Sequence, residues 1–154
     1  MGKAKVTVVV DKASGLKKAL TNAKRVRLLV GIPSSESPRG EGESNAVLGI
    51  LHEYGSPARR IPPRPFLTPA MDECKDGLAK ILSSVLDKNV RNLLEKAGLY
   101  AQAQVKGYIV RGENFAPLSK MTLAARREKG FTGTKPLIET GQLLNSISYA
   151  IREM

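Results

Sequence analysis

The chain contains very few of the residue types on which most catalytic and metal sites depend. Its 154 residues include one cysteine, one histidine and no tryptophan. Cys74 cannot form a disulfide within the chain, and no cysteine and histidine cluster has the spacing of metal ligands. We therefore expect no metal or cofactor site, a reducing compartment, and a buried apolar environment for Cys74.

Long apolar runs are also missing, and aromatic side chains are sparse. No run of about 18 apolar residues is present, and the N-terminus lacks the apolar segment of a signal peptide. The sequence thus predicts a soluble protein made in a cytoplasm, with no membrane partner. Aromatic residues form 5% of the chain, which disfavours a platform for stacking single-stranded nucleic acid.

Acidic residues are few relative to basic ones. There are 25 lysines and arginines against 14 aspartates and glutamates, a formal net charge of +11. Such an excess favours an acidic partner, either nucleic acid or an anionic neighbouring subunit. Residues 1–30 hold eight basic residues and one acidic residue, whereas residues 31–55 hold four glutamates and one arginine. Patches of opposite sign on one chain favour self-association.

Hydrophobic periodicity predicts the elements of the first third of the chain. Alternating β-branched residues predict strands over 3–10 and 25–32, and a 3.6-residue apolar pattern predicts a helix over 12–23. Residues 33–44 combine proline, glycine, serine and glutamate without an apolar anchor, which is typical of a mobile surface loop.

A proline-rich segment separates the next two predicted helices. The first runs from Asn45 to Tyr54, with Ser44 as its N-cap and Gly55 as its C-terminal cap. Residues 61–67, which we call the proline strap, read IPPRPFL. Three prolines fix the backbone and remove donors, so the strap is neither a helix nor a central strand. A second helix is predicted to begin with Thr68 as its N-cap.

Apolar stripes predict that this second helix is long. They continue to Tyr108, with a break or bend near 87–90. Residues 111–119 are then expected to form another mobile loop, and 120–129 a short basic helix.

The chain is expected to close with a strand after a short helical turn. Thr140 is the predicted cap of that turn, and alternation from Ile147 predicts the strand. These elements indicate one α+β domain spanning 1–154, with a small antiparallel or mixed sheet packed by a long helix, either straight or kinked, and joined by short helices and long loops.

Motifs for enzyme chemistry are incomplete. His52 and Glu53 are followed by Ser56 where a zincin helix needs a second histidine, and no Gly-x-Ser-x-Gly elbow occurs. Residues 130–135 lack the spacing of a phosphate-binding loop. We therefore expect a protein that is not an enzyme, with His52 as a helix C-terminal residue; a hydrolase using His52 and Glu53 is the less favoured alternative.

Four segments, taken in order, resemble the neck and tail-completion proteins of tailed bacteriophages and prophages. They read VGIP, ILHEYGSPARRIPPRPFL, FAPLSKMT and PLIETGQLLNSISY. Residues 30–32, 52–55, 61–67, 117–122 and 140–147 match the elements of that family in register, over nearly the whole chain.

The resemblance implies a structural virion protein that forms a ring, with a hexamer as the expected size, at the head-tail junction. Its implied role is in the neck, in tail completion or as a tail terminator. The implied partners are further copies of itself, other neck, connector and tail-tube proteins, and non-specifically the genomic DNA in the lumen. It would be made in the cytoplasm of the host bacterium. The alternative is a basic accessory domain that binds nucleic acid.

The strap is the predicted assembly contact, because its prolines have already removed backbone freedom that docking would cost. Phe66 is its expected anchor, and Arg64 its expected partner for a carboxylate of a neighbouring subunit. The predicted interface residues are Arg59, Arg60, Ile61, Arg64 and Phe66, with Glu41 and Glu43 as acceptors. The alternative is a plain connector, with Phe66 in the core of its own subunit.

A second basic cluster lies further along the chain. Arg126, Arg127 and Lys129 are the candidates for contact with DNA in the lumen. The more common interpretation of such a cluster is a solvated face.

Overall fold

The structure, a computed structural model, describes residues 26–34, 43–83 and 90–153. These ranges contain two strands, β1 (Val26–Gly31) and β2 (Ser148–Glu153), and six α-helices: α1 (Asn45–Tyr54), α2 (Leu67–Glu73), α3 (Lys75–Ser83), α4 (Val90–Arg111), α5 (Lys120–Glu128) and α6 (Gln142–Asn145). The predicted α+β class is confirmed. The strand predicted over 3–10 and the helix predicted over 12–23 lie outside the described residues. None of the described helices is both long and apolar enough to span a membrane.

The two strands form an antiparallel sheet. Val26 lies opposite Glu153, and Gly31 lies opposite Ser148. Both strands pack against α4. The approach is closest at Gly98, where an added Cβ atom would overlap the ring of Tyr149. Glycine is required here because any side chain would push the sheet away from the helix.

Helix α4 supplies one wall of the hydrophobic core. Its buried residues include Leu93, Ala97, Ala101, Val105, Tyr108 and Ile109, so the apolar stripe that predicted this helix is the face that it buries. The core continues from α4 into the strap and the C-terminal third of the chain. It consists of Phe66, Ala70, Val105, Tyr108, Ile109, Phe115, Leu137, Leu143 and Ile147.

The helix predicted from Thr68 differs from the structure at its start and in its length. It begins at Leu67, and its N-cap residue Phe66 makes no side-chain capping bond. The helix also ends at Glu73, where the backbone of Cys74 turns before α3 begins. The bend predicted near 87–90 falls on a stretch of which the structure describes only Val90.

Cys74 is fully buried, as expected from the sequence. Its Sγ donates to the carbonyl of Met71 at 3.3 Å. Burial, with a smaller contribution from the charge of Asp72, raises the pKa of the Cys74 thiol.

The prediction that segment 111–119 is mobile assumes that it has no apolar anchor, and that assumption is wrong. Phe115 is 7% exposed and belongs to the core. Its ring meets the ring of Tyr108 edge to face, with centroids 5.7 Å apart. Asn114 also donates to the Tyr108 hydroxyl at 3.3 Å. The other loop predicted to be mobile, 33–44, lies largely outside the described residues.

Candidate functional site: a basic cleft beside the proline strap

A short turn, residues 55–60, joins the end of α1 to the strap. Ser44 caps α1 by accepting from the Val47 N–H at 3.3 Å, and Gly55 follows the helix with φ of 74°, as the sequence predicted. A Cβ atom on Gly55 would lie 2.9 Å from the nitrogen of Pro63. Glycine therefore allows both the positive φ and the close return of the chain at Pro63.

Backbone hydrogen bonds hold the strap against this turn. The N–H of Ser56 donates to the carbonyl of Ile61 at 2.9 Å, and the N–H of Ile61 donates to the carbonyl of Ser56 at 3.0 Å. The N–H of Arg64 donates to the carbonyl of His52 at 2.6 Å. The strap is therefore fixed to its own chain on both sides of its first two prolines.

The Glu53 carboxylate caps the helix that follows the strap. Its Oε2 accepts from the N–H groups of Phe66 at 2.8 Å and Leu67 at 2.9 Å, and its Oε1 accepts from the N–H of Thr68 at 2.9 Å. A carboxylate at this position satisfies the free donors at the N-terminus of α2 and complements the helix dipole. Burial raises the pKa of Glu53, but the hydrogen bonds from Leu67, Thr68 and Phe66 together hold the pKa below its ordinary value of 4.5.

Arg64 points into the protein rather than towards a neighbour. Its side chain is buried, with the residue 7% exposed. Its Nε donates to the carbonyl of Ala116 at 2.8 Å, and its Nη2 donates to the carbonyl of Pro117 at 3.1 Å. The expectation that its planar fork is presented to another subunit is therefore wrong, because the fork is used to hold the segment before α5.

Phe66 is 2% exposed and lies in the core of its own subunit. This placement is the one expected of a connecting strap, not that of an anchor waiting for a partner. The prolines position Arg64 and Phe66 for contacts within the chain.

Other residues of the predicted interface remain at the surface. Arg59 forms an ion pair with Glu43 of the same chain. Arg60 is exposed and has a left-handed backbone with φ of 54°, and Ile61 is partly buried. Glu41 lies outside the described residues. Whether this surface contacts a neighbouring subunit stays a prediction.

The three candidates for DNA contact separate in the structure. Arg127 and Lys129 are exposed, but Arg126 is 6% exposed. The Arg126 Nη1 donates to three carbonyls, those of Gly133 at 3.0 Å, Lys135 at 2.9 Å and Ile138 at 3.1 Å. These bonds engage one end of the Arg126 guanidinium within its own chain, and contact between this cluster and DNA stays a prediction.

Arg126 instead shapes the loop after α5. Leu137 in that loop is buried and has φ of 62°, a conformation that costs a residue with a Cβ atom about 1–2 kcal/mol. The carbonyls on either side of it, from Lys135 and Ile138, are both held by Arg126. The arginine thus stabilises the turn that places Leu137 in the core.

A cleft of about 740 Å³, which we call the basic cleft, lies between the strap, α5 and α6. Its cationic lining residues are Arg60, Arg64, Arg126 and Lys129. Glu139 is the acidic lining residue, with its Oε2 3.8 Å from the Nε of Arg126. Apolar side chains, among them Leu118 and Phe131, complete the wall. The cleft therefore offers an apolar surface beside an excess of positive charge.

Sequence reasoning missed the roles of Glu53 and Glu139. The useful signal for Glu53 was its place in the last turn of α1, two residues before the glycine cap and eight residues before the strap. Nothing in the sequence points to Glu139, since its pairing with Arg126 depends on the fold of the loop between them.

Within the described ranges, no group of three or more histidine, cysteine, aspartate or glutamate side chains could hold a metal ion. Comparisons of the chain with protein-family models, with curated proteins and with solved structures found no match.

Proposed function

We propose that the protein is a non-enzymatic, ring-forming structural subunit of the head-tail junction of a tailed phage or prophage. The observation that carries the proposal is spatial. The five matching elements lie between residues 30 and 147, yet side chains and backbone groups from them meet around the strap.

Specific contacts link these segments. Ile32, from the first segment, packs so closely on α1 that a Cβ atom on Gly49 would lie 2.8 Å from its Cδ1. Glu53 caps the helix that starts within the strap, and Arg64 binds the carbonyl of Pro117. Ile147, from the last segment, joins Phe66 in the core. Residues that depend on one another physically are expected to occur together, and these contacts support the proposal in that sense.

The outer face of α1 supports self-association. Val47, Ile50 and Tyr54 lie on one side of the helix and are 43%, 61% and 76% exposed. Adjacent exposed apolar side chains of this kind commonly mark a surface that another protein covers. We propose that a neighbouring copy covers this α1 face in the ring.

Sedimentation velocity over a range of protein concentrations, with electron microscopy of the largest species, tests the proposal. The wild type should form a closed ring. The double variant Ile50→Ser, Tyr54→Ser should shift the distribution to monomer while the melting temperature stays nearly unchanged, because both side chains are largely exposed in the isolated subunit.

Met121→Ser is the matched control, since Met121 is 84% exposed but lies on α5. It should leave assembly unchanged. A wild-type protein that stays monomeric at all concentrations, both alone and with phage connector or tail-tube protein, would contradict the proposed function.

The alternative is a basic accessory domain that binds nucleic acid, favoured by the net charge of +11 and by exposed Arg127 and Lys129. A monomer that binds duplex DNA tightly, with affinity falling steeply between about 50 and about 200 mM salt, would support it. A ring subunit should bind DNA weakly and without sequence preference.

A further inference from the structure

We propose that the basic cleft binds a short acidic peptide segment of an assembly partner. The identity of that partner as a virion component rests on the proposed function, but the binding of carboxylates in the cleft does not.

The charge of the cleft is the first reason. Four cationic side chains line it against one carboxylate, that of Glu139. Arg64 and Arg126 are both more than nine-tenths buried, so water screens their charges poorly. Their mutual repulsion adds to the effect of burial in lowering the pKa of Arg64. An anion in the cleft would relieve this repulsion.

The bonding of Arg126 is the second reason. Its three carbonyl contacts all use Nη1, and its buried Nε has no hydrogen-bond partner among the described residues. Glu139 approaches Nε only to 3.8 Å, which is too far for a hydrogen bond. The Arg126 guanidinium thus has a donor without an acceptor and a single carboxylate at 3.8 Å to balance its charge, so an oxyanion in the cleft would add to the charge compensation of the group.

Helix α5 contributes further positive potential. Ser119, its N-cap, lines the cleft together with Thr122 of its first turn. The N-terminal end of a helix carries a partial positive charge that favours anions. The positive potential at this end of α5 adds to that of the Arg60 and Lys129 side chains.

The dimensions of the cleft favour a peptide over a single small ion. Lining residues extend along α5 from Ser119 to Lys129, which at the rise of a helix corresponds to about 15 Å. An extended chain of four or five residues covers about the same length. Leu118 and Phe131 beside the cationic groups would accept an apolar side chain between two carboxylates.

Nucleic acid fits the same cleft less well. Buried Arg64 and Arg126 cannot reach the phosphates of a duplex lying across the surface, and a single strand prefers several aromatic rings for base stacking. The chemistry of the lining therefore selects carboxylates on a flexible segment.

The test measures fluorescence anisotropy of the intact protein with a labelled Glu-Leu-Glu-Leu-Glu peptide. The same peptide with glutamine in place of each glutamate is the charge control. We expect the acidic peptide to bind and the glutamine peptide to bind at least about tenfold more weakly. Equal binding of the two peptides would overturn the proposal.

Two variants locate the binding. Arg60→Glu with Lys129→Glu alters exposed lining residues and should weaken binding of the acidic peptide by at least about tenfold. Lys120→Glu with Arg127→Glu is the matched control, because it makes the same change of net charge at two residues that are exposed on α5 but do not line the cleft. Equal losses in the double variant and the control would mean that binding follows overall charge, and would also overturn the proposal.

Further probes separate the sources of the anion. Inorganic phosphate or an oligothymidylate that displaces the peptide and binds more tightly would overturn the assignment to carboxylates. A synthetic peptide of residues 34–44 of this chain, SSESPRGEGES, tests a second copy as the source. Its binding would assign the partner to a neighbouring subunit, whereas binding of the Glu-Leu peptide alone would assign it to another protein.

Assembly is measured on the same variants, so that the two proposals fail separately. If the acidic peptide does not bind but the wild type forms rings, the cleft proposal fails and the proposed function stands. If the peptide binds as expected and the wild type never assembles, the proposed function fails and the cleft proposal stands.

Discussion

The carboxylate of Glu53, at the end of α1, accepts a hydrogen bond from the backbone N–H of Phe66 at 2.8 Å, across the whole length of the strap. With its bonds to Leu67 and Thr68, this contact makes one buried side chain the N-terminal cap of the next helix. Two helices that flank a proline-rich segment are thereby held in one orientation, and the aromatic ring of Phe66 enters the core.

Glu53→Gln should destabilise the protein at pH 7 by about 1.5–3 kcal/mol, the range for hydrogen bonds to a charged group. The amide of glutamine has the same shape but only one acceptor oxygen, so its NH₂ group would face an N–H donor. Urea unfolding measures the loss. Glu113→Gln is the control, since Glu113 is exposed and should lie within about 0.5 kcal/mol of the wild type.

The difference in stability between the wild type and Glu53→Gln should depend on pH in a defined direction. The pKa of Glu53 is lowered by folding, so its contribution is present above the ordinary value of 4.5 and is lost as the pH falls through the folded pKa. The stability difference between wild type and Glu53→Gln should therefore shrink as the pH is lowered below about 4.5. A difference that grows in acid would show that the carboxylate is not the stabilising form.

Arg64→Ala should destabilise the isolated subunit by about 1–3 kcal/mol, because it leaves the carbonyls of Ala116 and Pro117 without their buried donors. Thermal unfolding measured by circular dichroism tests this. Arg127→Ala removes the same charge from an exposed position and should be nearly neutral. If Arg64→Ala were also neutral and weakened only assembly, Arg64 would be the interface residue that the sequence suggested.

Two glycines of α4 make a matched pair. Gly98→Ala should cost about 1–3 kcal/mol, because the new methyl group overlaps the ring of Tyr149 and displaces the sheet. Gly107→Ala meets only the end of the flexible Arg111 side chain, at 3.9 Å, and should stabilise the helix by about 0.5–1 kcal/mol. Chemical denaturation of both variants tests the packing of α4 against β2; effects of the same sign would contradict it.

Cys74 should react slowly with a thiol reagent in the folded protein. Its side chain is fully buried and the pKa of its thiol is raised, so both access and the thiolate population are low. The rate of reaction with 5,5′-dithiobis(2-nitrobenzoate) should rise with urea in step with unfolding. Fast reaction in native buffer would mean that α2 and α3 separate readily from α4.

Elements with local signals could be predicted from the sequence. The bounds of α1, with Ser44 and Gly55 as its caps, depend on residues within the helix and beside it. The buried face of α4 follows from its 3.6-residue apolar pattern, and β1 from its β-branched residues before Pro33. The α+β class followed from these elements.

Contacts between distant residues could not be predicted in this way. Thr68 is the local residue type that favours a cap. In the folded chain, however, the carboxylate of Glu53 accepts from the free N–H groups at the start of α2. The break at Cys74 was hidden because Met71, Cys74 and Leu78 continue the apolar stripe through it.

The sequence by itself determined that α1, α4 and α5 are helical, that β1 and β2 are extended, that prolines restrict the backbone of the strap, and that the chain is strongly basic, because these follow from local backbone preferences and from composition. Only the tertiary structure decided what the charged residues of the strap and of α5 do. Arg64 and Arg126 look like surface charges in the sequence, yet both are buried on backbone carbonyls of distant segments. An arginine can be either exposed or buried, and the choice depends on whether folding brings acceptors within reach of its five donors.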